Sequence, residues 1–273
     1  MQTNVYNIAF AESTKQAYLH FWGCNIKCRG CVCQKVVYDF MLDRNMHLHL
    51  AEPRGIAAAP ERFMELDDVI ETLVGLDVKW VLFEGQEASL DPQMPYIAEA
   101  IHRRLGTTNV LLTNAYKMPN LTHIDKVAVG LKAFGEKKHL DYTGESNVTI
   151  LENFPKIYRS GVPMMAETVL IPGYIDHDEI EKIAKYIATV DPNIRYQIDA
   201  YFKAGNNPWR RPTAEEVERA VEAAKKHLNN VYAYKGTEPR EFGVKSIFPT
   251  EAELAAAELA PAVDARELVM VSA

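Results

Sequence analysis

Cysteine is scarce in this sequence and is absent outside one short segment, residues 24–33. Only four of the 273 residues are cysteine, and all four lie within ten consecutive positions. A disulfide framework needs cysteines distributed along the chain so that distant segments can be joined. The crowding therefore excludes that class of protein and predicts a metal-binding loop in a reducing compartment.

The chain also lacks an excess of positive charge and a long apolar run. Its formal net charge is −7 and its pI is about 5.7, which argues against an electrostatic nucleic-acid interface. No apolar run is long enough to span a bilayer, and residues 1–15 contain Asn, Glu and Lys where a secretory signal would be apolar. We therefore expect a cytoplasmic protein that binds neither nucleic acid nor membrane.

Length and apolar content predict one large domain with a short tail. With 48% apolar residues, the chain can bury a full core. We expect a main domain at residues 1–248, interrupted by a long insert or lid at 34–62, and an acidic C-terminal tail at 249–273. Within the tail, 251–259 can form a helix, and the apolar segment 268–271 can dock on the body or on a partner.

Strand and helix patterns alternate along the chain. Residues 5–10 and 16–21 alternate as a strand pair does. Further strands are predicted at 79–83, 109–113, 126–131, 162–171 and 194–202, and helices at 67–76, 94–104, 147–158, 176–188 and 213–229. This order indicates an α/β fold with a parallel sheet. About six units are too few for an eight-unit barrel, so we expect an open, partial (β/α)6 TIM-like barrel.

The cysteine loop directly follows the first of these barrel strands. Cys24, Cys28 and Cys31 form a C-x3-C-x2-C motif after Gly23. Three thiolates from one loop can hold one face of a [4Fe-4S] cluster and leave one iron without a protein ligand. Zinc held by all four cysteines is the alternative, but structural zinc sites usually take two separated ligand pairs. The iron-sulfur interpretation is favoured, with Cys33 as a small buried thiol.

This loop resembles that of the radical S-adenosylmethionine (SAM) superfamily, in which SAM completes the ligation of the open iron. The resemblance implies that an external reductant, such as flavodoxin or ferredoxin, reduces the cluster. The cluster then cleaves SAM to methionine and a 5′-deoxyadenosyl radical, which abstracts hydrogen from a substrate. One departure is Gly30, which stands where the superfamily usually has an aromatic residue.

Two strand ends extend the resemblance to the SAM site. Gly85, Gln86 and Glu87 stand where the superfamily has Gly-Gly-Glu-Pro. This implies that Gly85 lets the backbone approach the methionine moiety and that Glu87 accepts the amino group of SAM. Thr113 begins a segment similar to Thr-Asn-Gly, which implies a further cofactor contact. Without the cysteines upstream, residues 85–87 would equally indicate an ordinary strand-to-helix turn.

Over residues 17–232 the chain resembles the activating enzymes of glycyl-radical enzymes. Lys132 ends a segment that stands where that family has Asp-x-Lys, which implies a partner for the SAM carboxylate; a solvated strand-end Lys is the alternative. Residues 197–205 resemble the last barrel strand, which implies Asp199 and Tyr201 as cofactor-binding residues.

Three positions depart from that family at polar residues. Gly130 replaces Asp and removes a carboxylate, Glu167 replaces Arg and reverses a charge, and Phe202 replaces His. The substrate is therefore left open between a protein glycine and a small metabolite. A non-catalytic binding module, stabilised by zinc or an iron-sulfur cluster, is the alternative from another class.

The remaining motifs concern partners. Lys27, Arg29 and Lys35 lie near the cluster loop, where they can attract an acidic electron donor. Two basic loops, 137–139 and 203–211, contain Arg210 and Arg211 and indicate a small anionic substrate or an acidic segment of a protein partner. In the insert, the alternation at 46–50 predicts a strand with both of its histidines, at 47 and 49, facing solvent.

Overall fold

The computed structural model describes residues 1–53, 55–236 and 243–259. The strands are β1 (Val5–Ala11), β2 (Gln16–Phe21), β3 (Trp80–Gly85), β4 (Thr108–Thr113), β5 (Lys126–Gly130), β6 (Met164–Leu170), β7 (Arg195–Ala200), β8 (Val231–Tyr234) and β9 (Val244–Phe248). The α-helices are α1 (Leu66–Val74), α2 (Met94–Leu105), α3 (Glu136–Thr143), α4 (Val148–Arg159), α5 (His177–Val190), α6 (Ala214–Lys225) and α7 (Glu251–Leu259).

All nine strands form one sheet, in the order β8-β7-β6-β5-β4-β3-β2-β1-β9. Strands β2 to β8 pair in parallel with their chain neighbours, whereas β1 is antiparallel to both β2 and β9. Among the described residues, β8 and β9 each pair with one neighbour only, so the sheet does not close. The predicted open partial barrel is confirmed, and β2 to β7 correspond to its six predicted strands.

The two faces of the sheet carry different residues because side chains alternate along each strand. Leu19, Phe21 and Phe83 are fully buried between the sheet and the helices, where the two phenyl rings lie 6.2 Å apart. The opposite face carries polar side chains at the carboxyl ends of the strands. His20 and Glu84, for example, are direct register partners on β2 and β3. The functional residues therefore line the inner face of the barrel.

The insert at 34–62 spans the opening between the two edges of the sheet. Leu42 is fully buried with Val244 and Leu254 on the β9 side. On the other side, the Phe40 ring packs against Phe202, which follows β7, with centroids 4.8 Å apart. These contacts hold the insert in the gap that the missing barrel strands leave.

The predicted strand at 46–50 is wrong, because this segment lies in and after a 3-10 helix, Asp43–Leu48. His47 is exposed as expected, but His49 is buried. The His49 ring stacks on Phe40 at 3.9 Å, and its Nε2 lies 2.7 Å from the Phe40 carbonyl oxygen. The packing of His49 against Phe40 and Phe202 therefore accompanies the 3-10 helix here.

Helix α7 confirms the helix predicted at the start of the tail. It begins after Thr250, whose hydroxyl accepts from Glu253 N, while the Glu253 carboxylate accepts from Thr250 N at 2.7 Å. The apolar segment 268–271 lies outside the described residues. The described helices include none that is long and apolar enough to cross a bilayer.

Candidate active site

The three motif cysteines lie together in the loop after β2. All three are partly buried; besides burial, the nearby charge of Cys31 raises the pKa of Cys24, and the charges of Cys31 and Cys24 raise that of Cys28. Burial raises the pKa of Cys28 to about 12, whereas a hydrogen bond from the Cys33 thiol lowers the pKa of Cys31 to about 6. Asn114 Nδ2 lies 3.6 Å from Cys24 Sγ and can donate to its thiolate. Three convergent soft sulfurs with an amide donor fit an iron-sulfur cluster.

Cys33 has a different environment from the motif cysteines. Its Sγ lies 3.9 Å from the carbonyl oxygen of Gly85 and can donate to it, and its proximity to Cys31 raises the pKa of Cys33. The side chain is partly rather than fully buried. These contacts give Cys33 a hydrogen-bonding environment, and its role as a non-ligand stays a prediction.

Backbone and amide hydrogen bonds fix the cysteine loop to other elements of the barrel. Lys27 N and Arg29 N donate to carbonyl oxygens at the end of α3, at 2.7 and 2.9 Å. Gln34 Nε2 donates to the Cys28 carbonyl at 2.8 Å, and Asn207 Nδ2 donates to that of Arg29 at 2.7 Å. A loop tied at this many points presents its thiols in one arrangement before any cofactor binds.

The glycine before the third cysteine is explained by packing. A Cβ added at Gly30 would lie 2.9 Å from the Tyr201 ring and 3.0 Å from the Tyr142 hydroxyl. The two tyrosines occupy the space that an aromatic residue at position 30 would need. Tyr201 is buried, and its hydroxyl donates to the Ala204 carbonyl at 2.9 Å. The predicted site residue Tyr201 therefore lies directly against the cluster loop.

The turn after β3 is fastened to the start of the same loop. Gly85 has φ +96°, and a Cβ there would lie 2.8 Å from Phe21 N, so only glycine fits. Gln86 Oε1 accepts from Gly23 N at 2.9 Å, and Glu87 N donates to the Gly23 carbonyl at 3.1 Å. The structure thus brings residues 85–87 together with the cysteines.

Glu87 is buried and connects the ends of β3 and β4. Its carboxylate accepts from Ser89 Oγ at 2.6 Å, Thr113 Oγ1 at 2.8 Å and Asn114 N at 2.7 Å. Burial raises its pKa, although these hydrogen bonds oppose the shift. Glu87 and Thr113 are therefore joined by a hydrogen bond at the site. Their contact with SAM stays a prediction.

A second cluster of polar side chains consists of Lys132, just after β5, Glu167 on β6 and Asp199 on β7. Gly130 and Glu167 are register partners, and a Cβ at Gly130 would lie 2.7 Å from Lys132 Nζ and 3.6 Å from Glu167 Oε1. Burial lowers the pKa of Lys132, but the nearby charges of Cys28, Glu167, Cys31 and Cys24 all raise it, and the net pKa is raised. The ammonium thus lies between the thiols and a carboxylate rather than in solvent.

Asp199 completes this group at the end of β7. Burial and the nearby charge of Glu167 raise its pKa to about 7, and Gln197 Nε2 donates to it at 3.0 Å. Glu167 therefore lies close enough to raise the pKa of both Lys132 and Asp199, and Lys132 opposes the rise at Asp199. The sequence predicted Lys132 and Asp199 here, and Glu167 is the acid that it did not assign to the site.

Several basic residues that the sequence assigned to an anionic substrate have internal partners. Arg210 pairs with Glu216 at 2.6 Å. Arg211 donates to the His49 carbonyl at 3.3 Å and lies 4.6 Å from the centroid of the Phe202 ring. Phe202, which replaces a histidine of the related family, therefore serves to hold the insert.

Comparison with known proteins agrees with this geometry. The model of the radical SAM superfamily matches residues 18–187. A protein of Methanocaldococcus jannaschii, whose name assigns it provisionally to the glycyl-radical enzyme activating enzymes, is 29% identical over 223 residues, 77% of each chain. The pyruvate formate-lyase-activating enzyme of Staphylococcus aureus is 30% identical over 128 residues, 44% of this chain and 49% of that enzyme. The chain thus spans about half of the latter.

Solved structures show the same fold at low sequence identity. QueE from Escherichia coli has a TM-score of 0.54 at 12% identity, covering 86% of this chain and 95% of that one. SuiB of Streptococcus suis, solved with SAM bound, has a TM-score of 0.55 at 12% identity, covering 77% of this chain and 48% of that one. The family model covers more than half of the chain. This protein therefore belongs to the radical SAM superfamily, enzymes that use a [4Fe-4S] cluster to cleave SAM reductively.

Proposed function

We propose that this enzyme is an activase that abstracts a hydrogen atom from a glycine of a partner protein. The observation that carries the proposal is the cysteine loop at the mouth of the open barrel. It supplies three thiolates and leaves one iron for SAM. Similarity over 77% of the M. jannaschii protein supports the activase class over a small-molecule enzyme.

The candidate residues divide into those that would hold the cluster and those that would contact SAM. Cys24, Cys28 and Cys31 would hold the cluster, and SAM would lie against the other predicted residues: Gly85, Gln86, Glu87, Thr113, Lys132, Asp199 and Tyr201. When bound, the cluster supplies the electron that cleaves SAM. Lys132 offsets the negative charge of the thiolates, and the insert excludes water from the barrel mouth.

The departures at 130 and 167 are consistent with SAM binding. Gly130 lacks the carboxylate of the related family, but Glu167 faces it in register and brings a carboxylate to the same ammonium. A negative charge lost from β5 is thus supplied from β6. We infer that the electrostatic balance around SAM is kept by a different pair of residues.

The electron donor and the location follow from the same loop. Lys27 is exposed beside the cluster cysteines, where it can attract an acidic flavodoxin or ferredoxin; Arg29 is exposed there too, but in an ion pair with Asp141 at 2.8 Å. Lys35 has a different role, because its ammonium donates to the Ala51 carbonyl at 2.6 Å. Thiolate ligation of iron needs a reducing compartment, which supports a cytoplasmic location.

A small anionic substrate is the second candidate. Lys137 is exposed on α3, the helix whose last turn contacts the cysteine loop. The other two lysines of the basic segments have acidic partners: Lys138, also on α3, lies 3.6 Å from Glu179, and Lys203 pairs with Glu52 of the insert at 2.6 Å. An anion would have to compete with Glu52, so the protein partner is favoured.

The test is anaerobic reconstitution followed by hydrogen-transfer analysis. With dithionite, we expect cleavage of SAM to 5′-deoxyadenosine. A peptide covering the partner's glycine loop, deuterated at that glycine's Cα, should transfer deuterium into the 5′-deoxyadenosine. Cys28→Ala is the matched control and should show neither reaction. SAM cleavage without deuterium transfer would reject the activase and favour the small anionic substrate.

A further inference from the structure

Three potential metal ligands meet on the inner face of the barrel, outside the cysteine loop. His20 on β2 lies beside Glu84 on β3, and Asp39 comes from the insert. His20 Nε2 is 3.2 Å from Asp39 Oδ2 and 3.4 Å from Glu84 Oε1. All three ligand atoms lie within 4.8 Å of one another.

Two of these ligand atoms are buried without a hydrogen-bond partner. Neither His20 Nε2 nor Asp39 Oδ2 makes a hydrogen bond of acceptable geometry, although the side chains are only 9% and 2% exposed. A buried carboxylate oxygen without a partner is costly. Nε2 can carry only one hydrogen, so a protonated His20 cannot satisfy both carboxylates. A further cation between the three atoms would satisfy all of them.

The surroundings of Asp39 hold its oxygen toward this point. Met41 N donates to Asp39 Oδ1 at 2.7 Å, which leaves Oδ2 to face His20. Asp39 N donates to the side chain of Asn7 at 3.0 Å, and Asn45 Nδ2 donates to the Asp39 carbonyl at 2.7 Å. Outer hydrogen bonds of this kind are what orient metal ligands in proteins.

We propose that His20, Asp39 and Glu84 bind one divalent first-row transition cation, separate from the iron-sulfur cluster. Bonds of about 2.0–2.2 Å place neighbouring ligand atoms of such an ion roughly 3–3.5 Å apart, which matches both distances from Nε2. One imidazole with two carboxylates suits zinc, manganese or ferrous iron better than calcium or magnesium. Two carboxylates also balance the charge of the ion.

The site fastens the insert to the barrel wall. Asp39 belongs to the insert, whereas the other two ligands belong to β2 and β3. The neighbouring Tyr6 supports the same junction, because its hydroxyl donates to the Val37 carbonyl at 2.6 Å and its ring lies 6.1 Å from that of His20. The bound ion therefore stabilises the insert where it lies over the radical site. With three protein ligands, the ion keeps one coordination position open for water.

Zinc is the probe for the test, used on the full chain after cluster reconstitution. We expect one zinc per chain in addition to the cluster iron, measured by elemental analysis and by competition with a chromophoric chelator. Zinc K-edge absorption should show nitrogen and oxygen ligands without a sulfur shell. His20→Gln and Glu84→Gln should each weaken zinc binding by at least the roughly 10- to 100-fold that loss of an outer-shell group costs elsewhere.

His227→Gln is the matched control, because His227 Nε2 lies 3.1 Å from a single carboxylate, Glu181. It should leave zinc affinity unchanged. If His20→Gln does not fold, Glu84→Gln decides the matter, since Glu84 is partly exposed at the strand end. A zinc-sulfur shell would assign the ion to the cysteines and overturn the proposal. Zinc affinity that is unchanged in both the His20 and the Glu84 variants would also overturn the proposal. So would the absence of bound zinc from the reconstituted wild-type protein.

Discussion

The ammonium of Lys132 lies over the backbone of Gly130, where an added Cβ would be only 2.7 Å from Nζ. The related family has a carboxylate at position 130, so here the lysine occupies the space of a missing side chain. The glycine is thus part of the charge arrangement at the site. This relationship makes the lysine's position open to a direct test.

Gly130→Ala should weaken SAM binding without destabilising the fold. The new methyl group would displace the flexible end of Lys132, whereas the strand backbone of residue 130 is compatible with alanine. Loss of a hydrogen bond to a charged group costs about 1.5–3 kcal/mol. We expect a fall in SAM affinity of about tenfold or more, measured by calorimetry on reconstituted protein.

Gly75→Ala is the control, because its Cβ would make only an ordinary contact at 3.4 Å. It should leave SAM affinity unchanged. Equal affinities in the Gly130 variant and the wild type would remove Lys132 from the SAM site.

Glu87→Ala should destabilise the fold strongly. The change leaves Thr113 Oγ1, Ser89 Oγ and Asn114 N without their acceptor in a buried position. We expect a loss of about 3 kcal/mol or more in the free energy of unfolding, measured by urea denaturation. Glu99→Ala removes only an exposed pair with Arg103 and should change this free energy by about 0.5 kcal/mol or less.

The isosteric Glu87→Gln separates this bracing role from cofactor binding. It keeps the side-chain shape but removes the charge that would attract the SAM amino group. A stable Gln variant with unchanged SAM affinity would show that residue 87 supports the structure but does not bind SAM. Weaker binding by about 1.5–3 kcal/mol would support the predicted contact.

The fold was predictable from sequence to the extent that its elements are regular. Strands β2 to β7 have continuous or alternating apolar patterns, and the capping box at Thr213 marks the start of α6. Strand β8 has only four residues, and Tyr232 within it is half exposed, so its pattern is weak. Helix α3 is short and polar, and its contacts with the cysteine loop, rather than its periodicity, give it a role.

The site was predictable where the backbone determines it. The cysteine spacing and the strand-end positions of Glu87 and Lys132 can be read along the chain. The packing of Tyr142 against Gly30 cannot, since it joins residues more than 100 positions apart. The burial of His49 also depends on a partner distant in sequence, Phe202. Sequence periodicity carries no information about such contacts.

Substitution of the cysteines should distinguish ligands from neighbours. We expect Cys24→Ala, Cys28→Ala and Cys31→Ala each to abolish the [4Fe-4S] cluster, because each removes one of three thiolates. Cys33→Ala should retain it, since that thiol contacts the Gly85 carbonyl. The measurement is iron and acid-labile sulfide per chain after reconstitution. Cluster loss in the Cys33 variant equal to the other three would favour four cysteine ligands.

Asp199 should make the protein less stable as pH rises. Its pKa is raised to about 7 in the folded state by burial and by Glu167, and it is near 4 when unfolded. Between these values the folded chain binds more protons, so stability falls as pH rises and levels off above 7. Relative to Asp199→Asn, the wild type should lose at most about 1.5 kcal/mol from pH 5.5 to 7.

The measurement for Asp199 is the free energy of unfolding in urea across this pH range. Asp191→Asn is the control, because a hydrogen bond from Tyr158 lowers the pKa of Asp191 and leaves it ionised throughout. Its difference from the wild type should not change with pH. A flat difference for Asp199→Asn as well would mean that its carboxylate is ionised at pH 5.5.

Substitutions of Arg210 and Arg211 should have different effects, because Arg210 lies at the surface and Arg211 holds the insert. Arg210 pairs with Glu216 and donates to the Arg211 carbonyl, and its side chain is exposed, so Arg210→Ala should change stability by less than about 1 kcal/mol. Arg211 donates to the carbonyls of His49 and Gly236, so Arg211→Ala should loosen the insert. Hydrogen exchange over residues 40–52 should rise in the Arg211 variant and stay unchanged in the Arg210 variant. If substrate turnover instead falls in Arg210→Ala, with exchange unaltered, Arg210 contacts the substrate and the anionic-substrate hypothesis gains support.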